Sequence, residues 1–296
     1  MRVFVTGASG FIGSAITTEL IAAGHKVLGM VRSEAGAKSV KAAGAEVHRG
    51  SLDDLESLRS GARASDAVIH LAFIHDFSRF KENCETDRQA IEALGDAIQG
   101  TDRPLIVTSG TAMASAVPGQ PATEDGATVS SDVIPRAASE ESAAAMAKRG
   151  VNLSVVRLPQ VHDTVKQGLV TYAIAVAREK GVSAFIGDGG NRWPAAHILD
   201  TARLYRLALE KREAGAKYHA VTEEGVAMRE IAEVVGRGLK VPVVSLDPEK
   251  AATHFGWLTH FAGLDFTASS AQTRKKLGWN PTGPGLIRDL EEMHYL

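Results

Sequence analysis

The turn "TGASGFIG" closes the first strand pattern of the chain and opens its first helix pattern, and no other stretch limits the possible folds as sharply. Gly7, Gly10 and Gly13 stand with two residues between each, after the β-branched run "RVFVTG" and within the start of the amphipathic stretch "FIGSAITTELIAAG". Glycines placed there let an unhindered backbone approach a pyrophosphate lying on a helix N-terminus. Three turn glycines that merely allow tight strand–helix packing would look the same in isolation. The rest of the chain has to decide between the two.

Downstream, "HKVLGMVR", "AEVHRG", "DAVIHLAF", "PLIVTSG" and "VNLSVVRLP" read as further strands. Between them lie helical stretches that include "SEAGAKSVKAAG", "EALGDAIQG" and Ser139 to Arg149. Strands alternating with helices of this length require crossover connections, so the expected fold class is α/β with a doubly wound parallel Rossmann sheet. After about Pro159 the strands are expected to thin out, with turns such as "GDGGN" and "NPTGPG" between helices. Residues 1–159 are therefore expected to form mainly the dinucleotide-binding domain. Residues 160–296 are expected to form mainly a smaller C-terminal substrate lobe over the carboxyl ends of the strands, with some elements crossing between lobes.

Lysine and arginine number 33 against 35 acidic residues, with no long run of like charge. That balance speaks against a nucleic-acid footprint or a basic membrane face and leaves a small molecule as the expected partner. A single cysteine, Cys84, cannot form an intramolecular disulfide, and Met1 leads directly into a strand pattern. With no apolar run near the roughly 20 residues that span a bilayer, a cytoplasmic protein without membrane insertion is expected.

The glycine spacing is similar to that of the extended and atypical short-chain dehydrogenase/reductases, the NAD-dependent epimerase/dehydratase-like class. "DAVIHLAF" resembles the family's fourth strand, which ends at the cofactor, and "LIVTSGTA" its fifth, which ends at the active site. "VVRLPQVHD" resembles the segment passing the nicotinamide, "GDGGNRWPAAHILDTARLYRLAL" the second-lobe signature, and "KKLGWNPTG" the C-terminal turn. The resemblance implies cofactor contacts from Gly7, Ser9, Gly10, Phe11, Ile12 and Gly13 at the turn. It adds Leu71, Ala72 and Phe73 after the fourth strand, Thr108 on the fifth, and Leu158, Pro159 and Gln160 on the sixth. The family's adenine-contacting aspartate falls at Ser51, with the Leu52 backbone still able to touch the ring. Asp53 and Asp54 read instead as a helix start, where negative charge suits the dipole. A homodimer through the helices flanking the fifth strand is a further implication.

At the end of the second strand a cofactor with a free ribose hydroxyl usually meets a carboxylate. Here Arg32 and Ser33 offer a guanidinium fork and a hydroxyl suited to a 2′-phosphate. NADP(H) is the preferred expectation, although Arg32 could be a solvated surface residue and Glu34 keeps NAD(H) possible.

The family's proton-transfer pair, a tyrosine and a lysine four residues later, has no counterpart. None of the four tyrosines, at 172, 205, 218 and 295, has lysine at the fourth position after it. Laid on the family pattern, "PRAASEESAAA" puts Arg136 at the tyrosine and Glu140 at the lysine, and Thr111 falls at the catalytic serine with Ser109 beside it. Thr111 could hydrogen-bond a substrate carbonyl. Arg136 could polarise such an oxygen or hold a carboxylate, and Glu140 could move protons if burial raised its pKa. Equally, Arg136 and Glu140 could form an i,i+4 pair on a partly exposed helix.

His75 and Asp76 after the fourth strand, and His162 and Asp163 where the family usually has a tyrosine and glycine, are further proton-transfer candidates on segments that would line the substrate cleft, and His197 reads as a support for the second lobe. Where nucleotide-sugar enzymes of the family grip pyrophosphate with arginine, this chain has Trp193, with Arg192 one residue earlier. Trp193 would supply apolar area rather than a phosphate clamp. "HFGWLTHFAGL" adds apolar residues that would suit a substrate pocket, a core or a dimer interface equally. The expectation is an NADP(H)-dependent oxidoreductase acting on a small carbonyl or alcohol. An epimerase or dehydratase with transient oxidation, and a nonenzymatic dinucleotide sensor, are the alternatives.

Overall fold

The computed structural model describes residues 1–117 and 119–295. Its first half alternates strand and helix: β1 (Arg2–Thr6), α1 (Phe11–Ala22), β2 (Lys26–Val31), α2 (Glu34–Ala42), β3 (Glu46–Arg49), α3 (Leu55–Arg63), β4 (Ala67–His70), α4 (Phe80–Ile98), β5 (Leu105–Gly110), α5 (Ala138–Lys148) and β6 (Leu153–Leu158). Then come β7 (Gln160–His162), α6 (Val170–Lys180), β8 (Ser183–Ile186), β9 (Arg192–His197), α7 (Ile198–Lys211), β10 (Lys217–His219), β11 (Glu223–Ala227), α8 (Met228–Leu239), β12 (Val243–Leu246), α9 (Pro248–Phe255), α10 (Thr259–Ala262), α11 (Ala271–Leu277) and α12 (Leu286–Glu292).

Seven strands form one parallel sheet in the order β10-β6-β5-β4-β1-β2-β3. This is the doubly wound Rossmann arrangement. One face packs Ile16, Leu20, Ala37, Val40, Leu204 and Tyr205 from α1, α2 and α7; the other packs Leu58, Ile91, Leu94, Ala143 and Met146 from α3, α4 and α5. Strands covered on both faces are apolar at nearly every position rather than alternately, and all four residues of β4 are buried. Chain order reverses between β1 and β4, so a crevice opens at their carboxyl ends.

Asp54 caps α3 by accepting from the Ser57 N–H at 3.1 Å, as a helix start there requires. Beyond Pro159 the expected thinning of strands is not observed. Six short strands follow, and "GDGGN" joins β8 to β9 rather than two helices. Of these strands all but β12 carry at most one β-branched residue, and they break the regular strand–helix alternation that marks β1 to β6. Strands β11, β9 and β7 make a small sheet, β12 and β8 pair in parallel, and β10 returns to the edge of the large sheet, with α7 laid against α1. The second lobe has its own core around Trp193, Ile231, Val235 and Leu290. Among the described residues no helix is long and apolar enough to cross a membrane.

Candidate functional site

The glycine turn is shaped by close approach. Gly7 has φ +71°, and a Cβ on it would lie 3.0 Å from the Ala72 nitrogen. A Cβ on Gly13 would run into the Gly7 carbonyl oxygen. Both positions demand glycine. Gly10 is the N-cap of helix α1 and no side chain caps it, so the N–H groups of Phe11, Ile12 and Gly13 have no partner within the helix. A dinucleotide diphosphate suits such a cradle: bare backbone, free donors and the positive end of a helix dipole.

The end of β2 carries Arg32 and Ser33, both exposed. Ser33 caps α2 by accepting from the Gly36 N–H at 3.1 Å. Glu34 is taken by an ion pair with Arg49, which leaves no carboxylate engaged with Arg32 among the described residues. Ser51 is half-buried, while the Leu52 side chain joins the first-lobe core.

From the turn a buried polar chain runs to the start of α5. The Thr6 hydroxyl oxygen accepts the N–H groups of Leu71 and Ala72, each at 3.1 Å, and lies 2.8 Å from His70 Nδ1. With its lone pairs used, Thr6 has its proton left to donate to Nδ1, which puts the imidazole proton on Nε2. That nitrogen donates to Asp87 Oδ1 at 3.0 Å. Asp87 Oδ2 accepts from Arg136 at 2.9 Å and from the Ser139 hydroxyl, which Arg136 also contacts. Arg136 donates with its other terminal nitrogen to the Thr108 carbonyl at 3.0 Å and lies over the Phe73 ring, 4.3 Å from its centroid. Burial alone would raise the Asp87 carboxyl. Arg136, His70 and Ser139 outweigh it and hold the group below the ordinary carboxylate value.

Arg136 and Glu140 do not pair with each other. Glu140 is buried in a two-pronged ion pair with Arg157, at 2.8 and 2.7 Å, and accepts from the Thr128 hydroxyl at 2.7 Å. Burial pushes its pKa up, but the Arg157 bonds and charge and the Thr128 bond more than reverse this, so it is held low. An anion so fixed is no proton donor, which corrects the expectation for Glu140. The reason is tertiary: one helical turn separates the two residues, yet Arg136 meets α4 while Glu140 meets β6.

Thr111 is buried, its hydroxyl donating to the Leu158 carbonyl across a long 3.4 Å; Ser109 is buried beside it. Thr108 points the other way, to the buried Tyr205 hydroxyl at 2.7 Å. Leu71, Ala72, Phe73, Leu158 and Pro159 are half-buried along the crevice, whereas the Gln160 side chain accepts the Leu169 N–H at 2.7 Å.

Two expected substrate contacts lie elsewhere. Trp193 is wholly buried in the second-lobe core, its indole N–H donating to the Phe261 carbonyl at 3.2 Å. His162 is also sealed, 2.6 Å from Asp289 and edge-on to His197. Arg192 is occupied too, in a two-pronged pair with Asp265 at 3.1 and 3.0 Å.

His75, by contrast, is exposed at the crevice. Its partly desolvated ring, with the Arg136 and Lys166 charges nearby, has a pKa below the ordinary value, so it is neutral near pH 7. It stands edge-on to Phe73 at 5.3 Å and to Phe77 at 6.4 Å. Phe77 stacks on Trp257 of the second lobe at 4.2 Å, and Tyr172 meets both edge-on. An aromatic strip thus runs from Arg136 outward and bridges the lobes. Sequence reasoning missed Asp87, Phe77 and the bridging role of Tyr172 and Trp257. One signal was available for Asp87: it lies on the stripe Cys84, Asp87, Ile91, Leu94, Ile98, a carboxylate at an apolar helix position.

The model of the NAD dependent epimerase/dehydratase family matches residues 3–222. An uncharacterized protein of Schizosaccharomyces pombe is 47% identical over 296 residues, spanning all of both chains. One of Saccharomyces cerevisiae is 44% identical over 299 residues, again spanning both. The UDP-glucose 4-epimerase of Thermus thermophilus, solved in complex with NAD, superposes with a TM-score of 0.77 at 21% identity, covering 100% of this chain and 99% of that one, a likeness of fold.

Proposed function

The chain belongs to the NAD dependent epimerase/dehydratase family, and from that premise we propose an oxidoreductase that uses NADP(H) on a small apolar carbonyl or alcohol. The observation that carries this reading is Arg136, a cation held at the crevice by Asp87 and the Thr108 carbonyl, at the inner end of an aromatic strip. When bound, the dinucleotide supplies or accepts the hydride.

What the protein adds follows from its own groups. As a carbonyl is reduced, negative charge develops on its oxygen, and a fixed guanidinium beside that oxygen lowers the energy of the charge without reorganising. Arg136 keeps its own protons, so the proton that completes the alcohol comes from water. Thr111 can exchange its long bond to Leu158 for one to the substrate oxygen. Phe73, His75 and Phe77 offer ring faces and edges to an apolar body. Arg192 is committed to Asp265 and Trp193 is buried, so neither of these two residues offers a free guanidinium to a sugar nucleotide. Preference for NADP(H) is supported by Arg32, left unpaired because Glu34 turns to Arg49.

The test is NADPH and NADH oxidation with a panel of aromatic, alicyclic and aliphatic ketones and aldehydes, plus sugar nucleotides, with product analysis. Turnover of an apolar carbonyl that prefers NADPH and collapses in Arg136→Ala is the expected result. Conversion of a sugar nucleotide with no net change in cofactor would replace this reading with the epimerase one. Tight cofactor binding without turnover of any compound would favour a dinucleotide sensor.

A further inference from the structure

Lys166 is a cation that the scheme above leaves without work. It follows a tight turn: Asp163 Oδ1 accepts the N–H groups of Val165 and Lys166 at 2.7 and 2.8 Å, and the Asp163 N–H donates to the Lys166 carbonyl at 2.9 Å. The next residue, Gln167, is buried, with its amide donating to the Asp163 carbonyl at 3.0 Å. The exposed lysine is therefore presented from a braced segment of the second lobe. Its amine lies 5.9 Å from the centroid of the Phe11 ring, at the first residue of α1. Its charge, with that of Arg136, also helps hold the His75 pKa below the ordinary value. Among the described residues it has no ion-pair partner.

A cation over the rim of a helix N-terminus that already offers three unpaired N–H groups faces the place of greatest negative charge on a dinucleotide. We infer that Lys166 is a clamp for the cofactor's diphosphate, delivered by the second lobe across the mouth of the glycine turn. It would add a charged contact from the second lobe to those the α1 N–H groups offer. Arg32, at the end of β2, would read the 2′-phosphate separately. The inference rests on the cofactor part of the proposed function.

The experiment is calorimetric titration of NADPH, NADH and ADP-ribose into the full-length protein and its Lys166→Gln, Lys166→Arg and Arg32→Ala variants, at low and high salt. Because Lys166 is exposed, thermal melting should be unchanged by its substitution. Lys166→Gln is expected to weaken all three ligands alike, by about tenfold, as for loss of one charge-assisted hydrogen bond, with a shallower salt dependence. Lys166→Arg should restore most of the affinity, while Arg32→Ala should weaken NADPH alone. Unchanged affinities in Lys166→Gln, with tight binding by the unaltered protein, would overturn the clamp and leave the cofactor site standing. A loss confined to NADPH would overturn it as well, since the amine would then be reading the 2′-phosphate. Failure of the unaltered protein to bind any of the three would overturn the cofactor reading and the clamp together.

Discussion

Two arginine–carboxylate pairs meet around α5, and they are built for different ends. Arg157 and Glu140 are both sealed, 0% and 1% exposed, and Arg157 also donates to the Thr128 hydroxyl and to His219. In Arg136 and Asp87 only the carboxylate is sealed, at 1%, while the arginine side chain keeps 17% of its surface at the crevice. A fully enclosed pair joins helix to sheet and has nothing left to offer a ligand. A half-enclosed one holds a charge still while leaving part of it accessible, as electrostatic stabilisation of a reacting oxygen requires.

Breaking the sealed pair should have the largest effect. Glu140→Ala leaves a buried guanidinium uncompensated and is expected to cost about 3–5 kcal/mol in urea denaturation. The double variant Glu140→Met, Arg157→Met should recover much of that loss, because it removes both desolvated charges. Little recovery would mean the pair stabilises beyond its own desolvation.

Arg136→Ala should reverse the balance between stability and activity. Asp87 keeps His70 and Ser139, so the expected stability cost is about 1–3 kcal/mol. Turnover should fall roughly 10²-fold or more if the guanidinium meets the developing charge. Kinetics and denaturation on the same preparation would separate the two effects, and equal turnover in Arg136→Ala would make this pair structural like the other.

Acid should dismantle the molecule in two stages, followed by denaturation at stepped pH. His162 has a folded pKa below 6.5, so the unfolded chain binds the proton first and stability declines as pH falls from about 6.5 toward the folded value. Asp87 and Glu140 are held below 3.8 and 4.5, so their stabilisation is present above those values and lost as pH falls through the folded pKa values. His162→Phe should reduce the upper stage, to which His75, His219 and His254, also lowered, contribute the rest, and Asp87→Asn should reduce the lower, leaving the part due to Glu140.

The smallest expected effect is that of Tyr205→Phe, which removes the 2.7 Å bond to Thr108 behind the Arg136 pair. About 1 kcal/mol in thermal or urea unfolding is expected, with turnover retained. A large loss of turnover would show that the half-enclosed pair depends on support from α7.

The glycine turn and the first six strands were legible in sequence because each is a local pattern. Positive φ at Gly7, β-branched runs and a capping Asp54 are settled by neighbours a few residues apart. Beyond Pro159 legibility failed because the strands, no shorter on the whole than β3 and β4, no longer alternate regularly with helices, and all but β12 carry at most one β-branched residue. At the site, the positions of Arg136 and Glu140 were readable, but their partners were not. Asp87 lies 49 residues from Arg136, and Arg157 lies 17 from Glu140. Trp193 and His162 read as candidate ligand contacts by position and residue type, yet both are sealed in packing that sequence does not display.

By itself the sequence determined that this chain forms a parallel α/β sheet with a glycine turn between its first strand and first helix, and lacks the Tyr and Lys spacing of its family resemblance. The tertiary structure alone decided which charges are consumed and which remain accessible. Backbone preference and hydrophobic period act over a few residues and survive in the linear order. Whether an arginine is a strut or an available cation depends on desolvation and partners, and these are set only when helices and strands far apart in the chain close around it.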